Sequence, residues 1–412
     1  MDIQPLRESA PFRRLWIGSL LSSIGSQMTT FAIALQIWTI THSSFAVGAV
    51  GLCYAVPAIA FGLIGGSIVD AVDRRKLVLA LSCGFMAVSA GLAAQSFADF
   101  NQVWLLYVLV AGAALLNSVN QPARSTFLPR LLRADQIPAG AALNMMTFHG
   151  SVTVGPALAG VIAGAWGLKA CYLIDAVSFG AALYSVFLLP PMPPDGGAAR
   201  PGPRAIADGL RFIGSSRVLI GAFLSDLNAT VLGMPMALFP AINAAHFGGS
   251  PRTLGFLTTA VAVGGLVGSA LSGPLSRVKH HGRAMLVAGG VWGIALAGFG
   301  LSTTLWLSLT MLAIAGIADV LSVISRTTIV QAVTPDRYRG RVNAADYVIG
   351  GACPQLGNFR AGAVASLTTP AISAVGGGLA VVVGAAIIRL TIPALSSFTA
   401  AAPVTEPIPE LV

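Results

Sequence analysis

Residues 45–69, FAVGAVGLCYAVPAIAFGLIGGSIV, run without a charge and stop at Asp70-Ala71-Val72-Asp73-Arg74-Arg75-Lys76. A helix needs about 20 predominantly apolar residues to cross roughly 30 Å of hydrocarbon, so this stretch reads as a bilayer crossing closed by a basic stop. The pattern recurs along the chain. Cutting at the Lys and Arg residues gives twelve such spans, at residues 15–40, 45–69, 76–97, 102–122, 138–165, 168–189, 218–245, 253–275, 284–301, 303–325, 341–365 and 371–390. Barrel strands would be shorter and would alternate apolar with polar residues. The expected fold is an all-α membrane protein of twelve transmembrane helices.

Composition agrees. Of 412 residues, 9% are charged and 55% hydrophobic, against about 25% charged in a soluble domain. The net charge of +9 does not point to nucleic acid, because no basic-aromatic patch accompanies it. The placement of the charge explains it instead. With a cytoplasmic amino terminus, every one of the 24 Lys and Arg residues except Lys169, Arg252 and Arg360 falls on the cytoplasmic side. This positive-inside bias puts both termini in the cytoplasm of a cell that holds the protein in its inner membrane. The apolar run after Arg13-Arg14 continues to Ile40, so the first span is read as a retained helix and not as a cleaved leader. Cys53, Cys83, Cys171 and Cys353 lie singly inside apolar segments, a pattern of core residues with no disulfide or metal spacing. Adjacent His280 and His281 have no companion ligands, and no metal is expected.

Between the sixth and seventh spans, Pro190-Pro191-Met192-Pro193-Pro194-Asp195-Gly196-Gly197 cannot be a buried helix. The chain thus divides into an amino-terminal bundle (1–190), a linker (191–217) with a short amphipathic helix from Ile206, a carboxy-terminal bundle (218–390) and a tail (391–412). The two bundles resemble each other internally. Asn117, Asn120 and Arg124 stand at i, i+3 and i+7 in the fourth span, and Asp319, Ser322 and Arg326 keep that spacing in the tenth. Repeats of this size build many secondary transporters, whose sites lie near the midplane between the bundles.

Polar residues concentrate in every third span. The first carries Gln27, Thr29 and Thr30, the fourth Asn117 and Asn120, the seventh Asp226, Asn228 and Thr230, and the tenth Asp319, Ser322 and Ser325. Polar groups must face a cavity or another helix, so these four helices are expected to line an aqueous path. Asp175, Asp226, Asp319 and Asp346 lie within spans. An ionised carboxylate at the bilayer centre costs roughly 2.5 to 3.5 kcal/mol on insertion scales, so each needs a cavity, a partner or a proton. Asp226 and Asp319 lie on expected cavity helices and are the preferred proton carriers. Asp346 lies close to Arg339 and Arg341, and Asp175 lies on a peripheral helix, where pairing in a helix contact competes with proton coupling. His149 stands well within the fifth span, either as a cavity group or as a packed core histidine. Arg360 either meets an anionic substrate or snorkels to the interface.

Gly66-Ser67-Ile68-Val69-Asp70-Ala71-Val72-Asp73-Arg74-Arg75-Lys76 resembles the signature of the major facilitator superfamily, although Asp73 replaces a glycine. That resemblance implies a fold of two pseudo-symmetric six-helix bundles. It also implies a cytoplasmic gating latch formed by Gly66, Asp70, Arg74 and Arg75. Gly155-Pro156-Ala157-Leu158-Ala159-Gly160 resembles the antiporter motif of the superfamily, with Gly155, Pro156 and Gly160 in the motif positions. Gln121-Pro122-Ala123-Arg124-Ser125-Thr126-Phe127-Leu128-Pro129 and Pro335-Asp336-Arg337-Tyr338-Arg339-Gly340-Arg341 narrow the likeness. They resemble the exporter branch of enterobactin-type siderophore exporters and macrolide efflux proteins. The resemblance covers the whole chain and implies proton-coupled export of an amphipathic molecule by alternating access. Gln27, Thr30, Asn117, Asn120, His149, Asn228 and Ser322 are the candidate substrate contacts. No glycine-rich, lysine-containing nucleotide loop is present, so the expected energy source is a proton gradient, with no cofactor and no enzymatic chemistry. The expected partners are a small molecule, protons and lipid, and the expected unit is a single chain. A small-solute importer or facilitator, a lipid flippase and a membrane sensor that moves nothing remain open on the same fold.

Overall fold

A computed structural model of the chain describes residues 2–193, 203–273 and 278–399. Gly66 and Asp70 are described by backbone alone, and part of the expected linker and the end of the tail lie outside the described residues. Twelve long helices follow one another: α1 (Ala10–Thr41), α2 (Ser44–Ala71), α3 (Arg74–Phe97), α4 (Val103–Ser125), α5 (Ile137–Trp166), α6 (Leu168–Phe187), α7 (Arg217–Gly233), α8 (Pro251–Ala270), α9 (His281–Leu301), α10 (Leu305–Val333), α11 (Asp336–Leu367) and α12 (Pro370–Thr391). Hydrocarbon offers the backbone no partner, so each segment satisfies its own amides as a helix. Polar side chains start several of them: Ser43, Asp73, Ser216 and Thr369 each accept from a backbone N–H of the first turn. The replaced glycine of the signature is thereby explained. Asp73 has an ordinary φ of −58° and caps α3, so the turn needs no glycine.

Among the described residues, eleven helices are long and apolar enough to cross a bilayer. α11 is long enough at 32 residues, but it carries the charged run Asp336-Arg337-Tyr338-Arg339-Gly340-Arg341 and Asp346. Two boundaries differ from expectation in ways that matter. α10 continues past 325 to Val333, with the Thr327 and Thr328 hydroxyls donating to carbonyls one turn back and Ile329 and Val330 buried, and this draws Arg326 inside the helix. The expected seventh span breaks after Gly233, passes through a 3-10 turn at Met236–Leu238 and resumes as Phe239–His246. The cause is Pro235, which has no N–H to offer the carbonyl four residues earlier. That carbonyl belongs to Val231, and it accepts instead from Nε of Arg360 on α11, at 3.1 Å. Arg360, expected from sequence to meet an anion or to reach the interface, satisfies a broken helix end through its Nε.

The two halves meet along α2–α11 and α5–α8. Both contacts are tightest at the end of the bundle away from the termini, where glycine lets backbones touch. A Cβ on Gly48 would sit 3.1 Å from Cα of Gly362, and one on Gly160 would sit 3.0 Å from Cα of Gly255. The largest buried apolar cluster lies at that end and draws on both halves, with Phe31 and Ile37 against Leu238, Phe239 and Leu254. Nearer the termini, each half keeps its own clusters, around Val78 and Phe127 in one and around Met285 and Val330 in the other. The linker helix Pro203–Ser215 joins the second half, with Phe212 stacked on Tyr338 at 4.4 Å.

Arg360→Ala should lower the melting temperature of the purified protein, because an orphaned buried carbonyl costs about 1–3 kcal/mol. Arg360→Lys should recover part of the loss, and an unchanged transition for Arg360→Ala would refute the capping role.

Candidate transport cavity

Between the halves lies a cavity of about 470 Å³. Its amino-terminal wall comes from α1 (Gln27, Thr30, Phe31) and α5 (Phe148, His149, Val152, Thr153, Pro156). Its carboxy-terminal wall comes from α7 (Asp226, Thr230), α8 (Leu254, Thr258), α10 (Asp319, Val323, Arg326) and α11 (Gly350, Pro354). The first, seventh and tenth spans line it as expected, but the fourth does not. Asn117 on α4 donates to the Tyr54 hydroxyl at 2.9 Å, and Asn120 accepts from Arg124 at 3.2 Å. Both are spent on contacts within the first half. Asn228 is also diverted: its amide donates to the Val381 carbonyl at 2.9 Å on the far flank of α7. Ser322 is half-buried on α10 and is not among the lining residues.

The four intramembrane carboxylates separate by environment. Asp175 is 1% exposed inside the first half, where it accepts from Thr29 at 2.8 Å and Ser89 at 2.7 Å. It does not reach the cavity. Arg326, read from sequence as a cytoplasmic anchor, is 6% exposed on the cavity wall. It pairs with Asp226 of α7, Nε to Oδ1 at 3.5 Å, and its Nη1 donates to Oδ1 of Asp346 on α11. Asp346 thus meets Arg326 within the bundle and not the nearby Arg339 or Arg341. Oδ2 of Asp226 keeps no hydrogen-bond partner. Asp319 lies two turns from Arg326 on the same helix face and is exposed to the cavity. Its carboxylate makes no hydrogen bond or ion pair among the described residues.

The motif residues also have definite places. Gly155 lets α5 close on α1, since a Cβ there would lie 2.5 Å from Cβ of Gln27. Gly160 and the Pro156 carbonyl form the α5 side of the contact with Gly255 on α8. The motif therefore joins the halves beside the cavity as well as shaping its own helix. Near the termini Arg74 is buried, while Arg75 donates to the Phe187 carbonyl at 2.5 Å and Asp73 accepts from the Met192 N–H at 3.2 Å. Gly66 and Asp70, the remaining latch positions, lie in α2 outside the described side chains.

Sequence reasoning missed Arg326 as a cavity residue; of the aromatic residues that border the cavity, Phe31, Phe239 and Trp292 are packed in the core cluster and Phe148 is exposed. The signal for Arg326 was present in Ile329, Val330 and Val333 after it, where the helix runs two turns further. Nothing local marks Trp292, because only packing turns it toward the cavity. Arg326→Ala should destabilise the protein by about 3–5 kcal/mol, since it strands buried carboxylates, whereas Asp319→Asn should stay within about 0.5 kcal/mol. Thermal unfolding of both variants measures this contrast, and equal losses would show that Asp319 has a structural partner.

Comparison with known proteins agrees with this architecture. The enterobactin exporter EntS of Citrobacter koseri is 25% identical over 99% of this chain and 98% of its own length. The Shigella boydii enterobactin exporter is 24% identical, over 97% and 95%. Among solved structures, the nucleoside transporter NupG superposes with a TM-score of 0.73 at 14% identity, covering 95% of this chain and 100% of that one. A bacterial homologue of the iron transporter ferroportin in an inward-facing state gives 0.69 at 16% identity, covering 96% and 100%. At such identities the structural likeness speaks for the fold alone. The family model described as transmembrane secretion effector matches residues 2–411; with two helical halves around a charged central cavity, the chain belongs to that family of major facilitator transporters.

Proposed function

We propose that the protein is a secondary active exporter of the inner membrane, with both termini cytoplasmic. It carries a hydrophobic or amphipathic small organic molecule, such as a drug, siderophore or secondary metabolite, outward in exchange for protons by alternating access. The observation that carries this reading is Asp319, a carboxylate with no hydrogen bond or ion pair among the described residues, displayed into a cavity between two halves whose largest shared apolar cluster lies on the far side. The export function of the enterobactin transporters it resembles supports the direction.

The cycle follows from charge. In the arrangement described here the cavity belongs to the terminus-bearing side, where substrate enters from the cytoplasm and meets an ionised Asp319. Closure of that side and separation of the glycine contacts Gly48–Gly362 and Gly160–Gly255 would expose the same wall outward. A proton arriving from outside neutralises Asp319, loosens the substrate and lowers the cost of returning the empty site through hydrocarbon. Asp226 and Asp346 hold Arg326, and the unpartnered Oδ2 of Asp226 is a second landing point for the proton. The latch that the sequence signature implies at the terminus-bearing end, where Arg74 is buried, would restrain that end during this change.

Proteoliposomes with an imposed pH gradient, loaded with enterobactin or erythromycin, test the scheme. Wild type should drive efflux toward the acidic side. Asp319→Asn should lose gradient-driven movement by about tenfold or more while keeping substrate exchange at equilibrium, because the proton site is gone and the cavity is not. Unchanged gradient-driven efflux in both Asp319→Asn and Asp226→Asn would overturn proton coupling, and inward movement with the proton would replace export by import.

A further inference from the structure

Asp175 lies away from the transport cavity, and the fold leaves its charge without a counterpart. It is 1% exposed where α1, α3 and α6 of the first half pack together, and no Lys, Arg or His among the described residues pairs with it. A carboxylate at this depth needs a cavity, a partner or a proton. Its two oxygens differ in what surrounds them. Oδ2 accepts from Thr29 at 2.8 Å and from Ser89 at 2.7 Å, donors that suit an ionised carboxylate. Oδ1 is buried and has no hydrogen-bond partner among the described residues. A water would satisfy Oδ1 without balancing the charge, and a proton would balance the charge without using the oxygens around it. A small cation does both.

Those oxygens are arranged to accept. Ser178 donates its proton to the Asp175 carbonyl at 2.7 Å, and Thr29 and Ser89 spend theirs on Oδ2, so each hydroxyl keeps its lone pairs. Ser26 brings a further hydroxyl to the carboxylate. Gly25 faces the same place: a Cβ there would lie 2.5 Å from Oγ of Ser178 and 2.7 Å from Oδ1 of Asp175. Those lengths are close to the range of about 2.3–2.6 Å at which oxygens hold Ca²⁺, an ion nearly equal to Na⁺ in radius. Glycine at 25 therefore leaves room beside both oxygens that any other side chain would take. One carboxylate balances one positive charge, which favours a monovalent ion over Ca²⁺. Carboxylate and hydroxyl oxygens favour a hard cation over a transition metal.

We propose that Asp175 holds a sodium ion inside the first half, with Thr29, Ser89, Ser26 and Ser178 completing an all-oxygen site across α1, α3 and α6. Binding ties α1, which carries Gln27 and Thr30 into the cavity wall, to the two helices behind it. The site is separate from Asp319 on α10 and does not depend on the direction of transport. No ligand spacing marks it in the sequence, because its oxygens come from three helices.

Equilibrium binding of radiolabelled sodium to the full chain in lipid nanodiscs reads the site directly, with protein-free nanodiscs subtracted and choline chloride holding the ionic strength constant. Wild type should bind a single ion per chain. Lithium should displace it, and potassium should do so at least about tenfold less well, because ion size sets the fit. Sodium in place of choline should also raise the thermal transition of the purified protein by about 2 °C or more. Asp175→Asn keeps the shape of the side chain and should abolish both responses. Ser178→Ala removes one ligand from a half-buried position and should weaken sodium binding by about tenfold or more, while Asp319→Asn should leave both responses intact. Absence of sodium binding by wild type, as a protonated Asp175 would give, or equal displacement by potassium would overturn the inference. So would sodium binding that Asp175→Asn leaves unchanged or, should that variant fail to fold, that Ser178→Ala leaves unchanged. Loss of binding in Asp319→Asn with retention in Asp175→Asn would place the ion in the cavity and overturn it as well.

Discussion

A guanidinium held inside a helical bundle must be neutralised, and Arg326 meets that demand by drawing Asp226 from α7 and Asp346 from α11 onto α10. Breaking such a group costs far more than an exposed ion pair, because the surviving charges stay out of water. Three helices of the second half are thereby tied at one level. The same arrangement leaves Asp319, two turns away on α10, without a role in the pairing. A carboxylate that the fold does not consume remains available to a proton or a ligand, and it faces the space between the halves.

The first half carries the matching pattern to a different end. Arg124 occupies the position that repeats as Arg326, yet its partners are the neutral Asn120 and Ser19. The acid of this half, Asp175, is locked among hydroxyls of α1 and α3 and packed against Gly25. Two halves built on one plan thus divide the work. One supplies the carboxylates and the guanidinium, and the other supplies a wall of Gln27, Thr30, Phe148 and His149. A second polar cluster in the first half, where Tyr172 donates to Gln36 at 2.7 Å and Gln36 and Gln95 bond each other, has all its partners on its own side and stiffens that half as a unit.

How the halves touch determines which end of the cavity is sealed. Glycine at 48, 160, 255 and 362 allows backbone contact at the end away from the termini, and the apolar cluster around Phe31, Leu238 and Phe239 fills the space between. Such contacts have no directional bonds to break, apart from a few such as Thr259 donating to the Thr153 carbonyl at 3.3 Å. Interfaces made of close packing can separate as rigid surfaces, which is what the proposed transport cycle requires of the two halves.

Hydropathy alone determined that this chain lives in hydrocarbon as a series of long helices, because a bilayer demands about 20 apolar residues per crossing whatever the neighbours are. The repeat of Asn117, Asn120 and Arg124 as Asp319, Ser322 and Arg326 was equally legible, as were Asp226 and Asp319 as groups needing an explanation. Local pattern could not tell which polar residues share a cavity. Asn117, Asn120 and Asn228 have the same chemistry as cavity groups, yet Tyr54, Arg124 and the Val381 carbonyl claim them. Arg326 looked like one more basic anchor until its helix proved to run on to Val333. The assignment of each charge to a partner, and hence which carboxylate stays free, depends on distances between helices far apart in the chain, and those distances exist only once the bundle has packed.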